Sequence, residues 1–587
     1  MIAIKVRISP RASVHLPAAL LPPFWLLALG CSLQAAPSPA QQGGALDATA
    51  VAQRLEAIAA AGTLADLHAP NFTDYRYLVV QLYQEAHDAP VWVRNGEATP
   101  QAVAVIAALE SSEQKGLDPD DYDGPQWPQR LAALKSAPGN ADMVARFDAA
   151  LTIGTMRYIS DLHIGRVNPR HFQFGIDIEQ KKYDLPQLLL QRIVNAGNVA
   201  EVLGQVEPQW LNYKRLEAAL QTYRKLAAQE STEQGFPLPD VPKTLSPGDA
   251  DAGAGALADR LRLLGDLPAG TKVETTAGVD NGVLVDAVKH FQVRHGLAPD
   301  GKLGKETVRQ LNTPLSVRVT QLEDALERWR WLPPTFDPLP VLVNIPEFVL
   351  RVFNPDHSVA LRMNVIAGKS VGHQTPVFAQ NMRYIVFRPY WNVPPSIARS
   401  EIVPHLLKDP GYLGKKGFEI TDSKGTVVAA GSASAEEIAQ LRAGRLMVRQ
   451  KPAADNALGL IKFIFPNDNN VYLHSTPSQS LFSQSRRDFS HGCIRVEKPA
   501  DLAAFLLKNQ TGNDRNGGRK WTVDAVKAAM QSGPDNQQVN LGIPVPVVIG
   551  YFTAVVEEDG EVFFFNDIYG HDKSLNAVLA KGPPYPG

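Results

Sequence analysis

The sequence predicts an α+β protein of several domains: a helical scaffold, a small three-helix unit and a mainly-β domain interrupted by a cap. Three observations carry that expectation. At 587 residues the chain is too long for one hydrophobic core. Helical spacing of apolar residues fills roughly its first third, as in Val51, Leu55, Ile58 and Ala59 or Leu216, Ala219, Leu220 and Tyr223. From about Leu339 the pattern turns to short β-branched and aromatic runs between turn residues: Val341 to Ile345, Val349 to Phe353, Tyr384 to Phe387 and Ile461 to Phe465.

The N-terminus reads as an export signal over residues 1–36. Lys5, Arg7, Arg11 and His15 precede an apolar run from Leu16 to Leu33 that ends in Ala35-Ala36-Pro37-Ser38. Pro22-Pro23 interrupts the run and leaves only about ten apolar residues after it, short of the roughly twenty a spanning helix needs. Lipid attachment at Cys31 is the alternative. Nothing further along is long and apolar enough to span a bilayer, so the expectation is an exported protein; it is expected to be a monomer.

The helical scaffold is expected over 45–245. Within it Tyr158-Ile159-Ser160-Asp161-Leu162-His163-Ile164-Gly165-Arg166-Val167 stands out, read as a buried structural network because no nucleophile lies beside it. A linker rich in Pro, Gly and Ala leads to a compact unit over 252–314, with helices at Leu257 to Leu264, Val283 to His295 and Lys305 to Leu311. Ala287-Val288-Lys289-His290-Phe291-Gln292, His295-Gly296-Leu297, Pro299-Asp300-Gly301 and Gly304-Lys305-Glu306-Thr307 resemble the three-helix peptidoglycan-binding domain. The resemblance implies affinity for the wall polymer, stem peptides and glycan alike. A connecting helix over 315–338 is expected to return to the scaffold, followed by a catalytic domain over 339–587 with a candidate substrate cap at 397–458.

Charge excludes some partners. With 58 Lys and Arg against 60 Asp and Glu, no excess favours nucleic acid or an anionic membrane. Of two cysteines, Cys31 lies in the signal, so the exported chain holds one thiol, Cys493, without an intramolecular partner. In an oxidising compartment a solitary thiol is a liability, which favours a functional reason for it over an inert buried cysteine.

That thiol sits in Ser490-His491-Gly492-Cys493-Ile494-Arg495-Val496, nineteen residues after His474. His474 ends a predicted strand, Val471-Tyr472-Leu473-His474, in which it shares a face with Tyr472. A thiol of pKa about 8.5 is mostly protonated at neutral pH, and a nearby imidazole can take its proton. Gly492, without a Cβ, lets a carbonyl approach, and the amides of Gly492 and Cys493 can donate to an oxyanion. An extended Cys493 to Val496 puts Arg495 on the thiol's face, where it adds positive potential and can hold a carboxylate. Either His474 or His491 could serve as base on these grounds alone.

His474, the fifteen residues Ser475 to Phe489, and Ser490-His491-Gly492-Cys493-Ile494-Arg495 resemble the active-site signature of the L,D-transpeptidase family. Gly368-Lys369, Gln374-Thr375-Pro376 and Tyr390-Trp391-Asn392-Val393-Pro394-Pro395 extend the match. The resemblance implies that Cys493 is the nucleophile and His474 the proton acceptor and donor, that the Ser475 carbonyl orients His474, and that His491 and Gly492 shape the oxyanion side. It implies crosslinking through a Cys493 thioester with loss of the terminal D-alanine of a tetrapeptide stem, and inhibition by carbapenems. Tyr390, Trp391, Asn392, Arg486 and Arg487 are the expected substrate contacts, Arg486 and Arg487 being open also to a solvated-loop reading. No metal or other cofactor is expected: a zinc site of His474, His491 and Cys493 lacks paired-cysteine spacing and a clear further ligand. The competing functions are a cysteine hydrolase that trims stems and an inactive wall-binding protein.

Overall fold

A computed structural model describes residues 46–230, 236–239, 243–249, 253–273, 282–508 and 520–586. The expected export signal and Cys31 lie outside the described residues. Among those described, no helix is long and apolar enough to cross a membrane.

The helical layer is organised around α1 (Ala141–Ile164), whose Asn140 side chain caps the Met143 amide. This helix is buried on most of its circumference, so its polar residues need partners. Asp148 accepts from Tyr83 Oη at 3.0 Å and from the Val91 and Trp92 amides. At the C-terminal end, in the segment singled out from sequence, Tyr122 Oη donates to Asp161 at 2.7 Å and His163 Nδ1 lies 2.7 Å from the Val206 carbonyl.

α2 (Leu211–Glu230) runs toward the small unit of α3 (Ala254–Leu263), α4 (Gly282–Arg294) and α5 (Lys305–Leu311). That unit closes over Leu257, Leu261, Leu284, Val288, Phe291 and Leu311. The buried Gln292 amide bridges Asp300 Oδ1 at 2.9 Å and the Gly301 amide at 2.8 Å, which fixes the Pro299-Asp300-Gly301 turn. Arg294 donates to the Val562 carbonyl at 2.8 Å, so the unit rests on a C-terminal hairpin of the β domain.

From the small unit the chain continues as α6 (Leu315–Trp331), which packs along α2 with an Arg224–Glu323 ion pair at 2.7 Å. Glu327 reaches back to accept the Arg166 and Val167 amides beyond α1. Leu216, Leu220, Leu322 and Leu326 of α2 and α6 enter the same core as the β domain.

The β domain has nine strands in one sheet: β1 (Val341–Asn344), β2 (Val349–Phe353), β3 (Val359–Gly368), β4 (Phe378–Phe387), β5 (Ile461–Ile464), β6 (Leu473–His474), β7 (Asp488–Ser490), β8 (Ile494–Val496) and β9 (Gln537–Gly550). Their order is β7-β3-β8-β6-β5-β4-β9-β1-β2, and β2 also pairs with β3, closing eight strands into a barrel-like ring. Closure removes the exposed edges an open sheet would present. It also lets β6 hold its place with only two residues, because it is paired on both sides.

The cap differs from its sequence reading. Expected as a mixed, more helical insertion, it contains a four-stranded sheet of Trp391–Asn392, Met447–Gln450, Phe418–Thr421 and Val427–Ala429. Strands of two to four residues are too short to show an alternating pattern. Helix α7 (Ala435–Arg442), opened by a Ser434–Glu437 capping box, joins Ile402, Leu406, Leu413, Ile420 and Val448 in a separate apolar core.

Candidate active site

Sheet register assembles the site. β6 pairs antiparallel with β5, placing Lys462 opposite His474, and parallel with β8, placing Arg495 opposite His474 on the other side. Residues opposite one another project to the same face, so Lys462, His474 and Arg495 form a row across three strands. Leu473 and Ile494 enter the core behind them. One step before β8, Cys493 meets the preceding turn of β6: the Ile494 amide donates to the Tyr472 carbonyl at 3.2 Å, and the sulfur has the Tyr472 amide and hydroxyl as hydrogen-bond partners. The Cys493 thiol donates to the Asn470 carbonyl at 3.7 Å. Cys493 is half-buried. Among the described residues no hydrogen bond joins its sulfur to His474 or His491.

His474 is buried, with Nδ1 2.6 Å from the Ser475 carbonyl. Nδ1 donates there, so the neutral ring carries its lone pair on Nε2. Ser475 is itself pinned: its amide donates to the Ile461 carbonyl at 3.0 Å, and its hydroxyl accepts the Leu460 amide at 2.8 Å. Gly459 permits this approach. With φ +62, a Cβ at that position would lie 2.1 Å from Ser475 Oγ.

The Ser490 to Cys493 turn is tied down from several sides. Ser490 Oγ donates to the Cys493 carbonyl at 2.5 Å and accepts the Gly492 amide at 3.1 Å. Thr375 Oγ1 donates to the Gly492 carbonyl at 2.8 Å and accepts the Gly368 amide at 2.9 Å. Gly492 has φ +118, a conformation side chains rarely adopt. Its amide is engaged by Ser490 Oγ in this structure. The Cys493 amide has no hydrogen bond among the described residues and remains the available donor.

Electrostatics set the resting protonation state. Burial, reinforced by Arg495 and Lys462, lowers the His474 pKa to about 4. Burial also raises the Cys493 thiol, with Tyr472 and Arg495 pulling the other way. Both shifts disfavour charge, so the resting pair is a neutral thiol and a neutral imidazole, not the imidazolium beside a sulfur anion that the sequence suggested.

His491 is engaged elsewhere. Its Nε2 lies 2.7 Å from Glu401 of the cap, and its ring meets His373 edge-on at 4.8 Å. Tyr390, Trp391 and Asn392 belong to the cap edge: Tyr390 lies under the Arg449 guanidinium at 4.4 Å, Trp391 packs near Phe418, and Asn392 pairs with Arg449. Arg486 is exposed and paired with Asp488 at 2.7 Å. Arg487 contradicts its assignment as a substrate contact. It is 8% exposed and spends its donors on the Val365, Gln484 and Phe348 carbonyls and on Asn364, while burial lowers its pKa to about 10. It is a structural tie between the loop before Cys493 and strands β2 and β3.

Sequence reasoning missed Lys462, Tyr472, Thr375 and Gly459 as parts of the site. Tyr472 and Thr375 stood inside recognised motifs, but Lys462 and Gly459 gave no signal. A separate cavity of about 280 Å³ lies in the helical layer, lined by Asp161, His163, Arg166 and the C-terminal Pro583 to Tyr585, and does not include the thiol.

Comparison with known proteins agrees with this organisation. Residues 340–526 match the family model of an L,D-transpeptidase catalytic domain, 77–220 that of a scaffold domain, and 253–311 one described as "Putative peptidoglycan binding domain". A Haemophilus influenzae protein named "Putative L,D-transpeptidase" is 32% identical over 305 residues, which is 51% of this chain and 58% of that protein. The chain thus matches less than two thirds of that relative's length.

Proposed function

We propose that this chain, whose residues 340–526 match the family model of an L,D-transpeptidase catalytic domain, crosslinks peptidoglycan stems through an acyl-enzyme on Cys493. The observation that carries this reading is the half-buried Cys493 thiol just before β8, the strand paired with β6, beside His474, a buried histidine whose Nδ1 is held by the Ser475 carbonyl.

Because thiol and imidazole are both neutral at rest, the proton moves as the bond forms. Cys493 Sγ attacks the carbonyl carbon of the third stem residue while His474 Nε2 takes the thiol proton. The Cys493 amide donates to the oxyanion, and Arg495 adds positive potential beside it. As the intermediate collapses, the carbon–nitrogen bond breaks, His474 returns its proton to the leaving amine of D-alanine, and a thioester remains. An amine of a second stem then attacks the thioester with His474 as base. The wall-binding unit holds the enzyme on its polymer in the periplasm, and carbapenems acylate the same thiol.

Incubation of the full chain with a tetrapeptide donor and a free D-amino acid tests this. Release of D-alanine with its replacement by the added amino acid is expected. Release without replacement would identify a hydrolase, and no release, with no labelling by a carbapenem, an inactive wall-binding protein.

A further inference from the structure

Lys462 and Arg495 stand on either side of His474 in one sheet register; neither side chain has a hydrogen-bonding or ion-pairing partner among the described residues, and Lys462 Nζ lies 6.0 Å from the centre of the Tyr472 ring. Both are half-buried. The Arg495 Nε is buried with no acceptor. Burial lowers the pKa of each cation; the Cys493 sulfur is the one opposing influence on Arg495, and Lys462 has none. A structural arginine in this protein looks different: Arg487, a few residues away, satisfies its donors on carbonyls and an amide. Two desolvated cations without a counter-charge are costly unless an anion arrives to pair with them. Adjacent strands are about 4.8 Å apart, so these two backbones lie about 10 Å apart with His474 between them, a span their long side chains can close.

We propose that Lys462 and Arg495 form a carboxylate clamp that holds, beside His474, the α-carboxylate of the amino acid whose nitrogen leaves the acyl carbon and then that of the amino acid whose nitrogen arrives. The proposal rests on the L,D-transpeptidase reading and adds the acceptor class to it. In the first half-reaction the departing nitrogen belongs to D-alanine, whose carboxylate is on the adjacent carbon. The same geometry at the second half-reaction selects an amine with a carboxylate on its own carbon, as in the amino-acid centre of a diaminopimelate side chain or a free amino acid. A lysine ε-amine has no such carboxylate. In this step the acceptor nitrogen bonds to the acyl carbon, the carbon–sulfur bond breaks, and the proton lost by the amine passes through His474 to the sulfur.

The clamp also links binding to chemistry. Among the described residues, the charged and titratable groups facing His474 are Arg495, Lys462 and Tyr472. Burial does most to keep His474 unprotonated, and a carboxylate bound between the two cations offsets the positive potential that adds to it, so the base gains strength once a substrate is in place.

The test compares two acceptors with the full chain and a tetrapeptide donor: D-methionine and the corresponding amine lacking the carboxylate. Wild type is expected to favour D-methionine by about 10- to 100-fold, the worth of a charge-assisted contact. Lys462→Gln and Arg495→Gln should lose that preference through a raised KM for D-methionine relative to the plain amine; because the clamp also serves the leaving D-alanine and Arg495 stands beside the oxyanion, acylation slows in both variants whichever acceptor is present, and the ratio between the two acceptors is the readout. Arg495→Lys, which keeps a cation, should retain part of it, separating charge from packing. Iodoacetamide labelling of Cys493 and circular dichroism verify that each variant is folded with an accessible thiol. If one variant fails to fold, the other decides the outcome. An unchanged preference in folded variants of an active enzyme overturns the clamp alone; a wild-type chain that releases no D-alanine overturns the clamp and the transpeptidase reading together.

Discussion

In the free enzyme, Cys493 should behave as a protonated thiol whose reactivity climbs with pH. The sign follows from the two shifts. His474 is held to about 4, so its cation exists only below that pH. The thiol is raised, so its anion is favoured only above the ordinary thiol range. A preformed ion pair needs a pH above the second value and below the first, and no such window exists. Even an ordinary thiol pKa of about 8.5, set against an imidazole at about 4, makes proton transfer uphill by about 6 kcal/mol. At pH 7 an ordinary thiol is about 3% ionised, and burial makes Cys493 less so. Iodoacetamide alkylation, followed by mass spectrometry of the Cys493 peptide from about pH 5 to pH 10, should accelerate close to tenfold per pH unit through neutrality. A flat rate between about pH 5 and pH 7 would reveal a stable thiolate–imidazolium pair and refute the neutral resting state.

Other expectations follow from the contacts around the two reactive groups. Gly459→Ala forces a Cβ onto Ser475 Oγ and moves the carbonyl that orients His474; acylation by a carbapenem should slow by about 10² or more with the thiol still alkylatable. Ser490→Ala removes the hydroxyl that bridges the Gly492 amide and the Cys493 carbonyl, so thermal denaturation should register a loss of about 1–3 kcal/mol. Arg487→Met leaves buried carbonyls unpaired, and should cost about 2–4 kcal/mol in denaturant unfolding while leaving donor KM near wild type in whatever fraction stays folded. Glu401→Gln cuts the partly exposed pair between cap and His491, worth at most about 1 kcal/mol, so it should alter donor KM and leave melting temperature unchanged.

Much of the architecture was legible because its signals are local. Helical periodicity, the run of short strands and the Gln292 to Gly301 turn each declare themselves within a dozen residues. The reactive pair was legible for a different reason, a lone thiol and a histidine in a recognised spacing. What sequence could not show was convergence. Lys462 is an unremarkable lysine in Ile461-Lys462-Phe463, and only the pairing of β5 with β6 sets it opposite His474. Arg486 and Arg487 are neighbours of one type, yet one faces solvent with Asp488 and the other is enclosed by carbonyl and amide acceptors. Tyr390-Trp391-Asn392 was read as substrate contacts, and only register shows that Trp391 and Asn392 form the edge strand of the inserted sheet. The protonation state depended on burial and on two cations from other strands, neither visible in a linear motif.

The central claim is covalent: a stem acyl group carried on the Cys493 sulfur. Intact-mass analysis of the full chain, quenched in acid during turnover of a tetrapeptide donor, should show an adduct equal to the donor minus D-alanine, mapped by fragmentation to Cys493 and formed about 10² to 10⁴ more slowly in His474→Ala. D-alanine released at the wild-type rate by Cys493→Ala, or an adduct on any other residue, would contradict it.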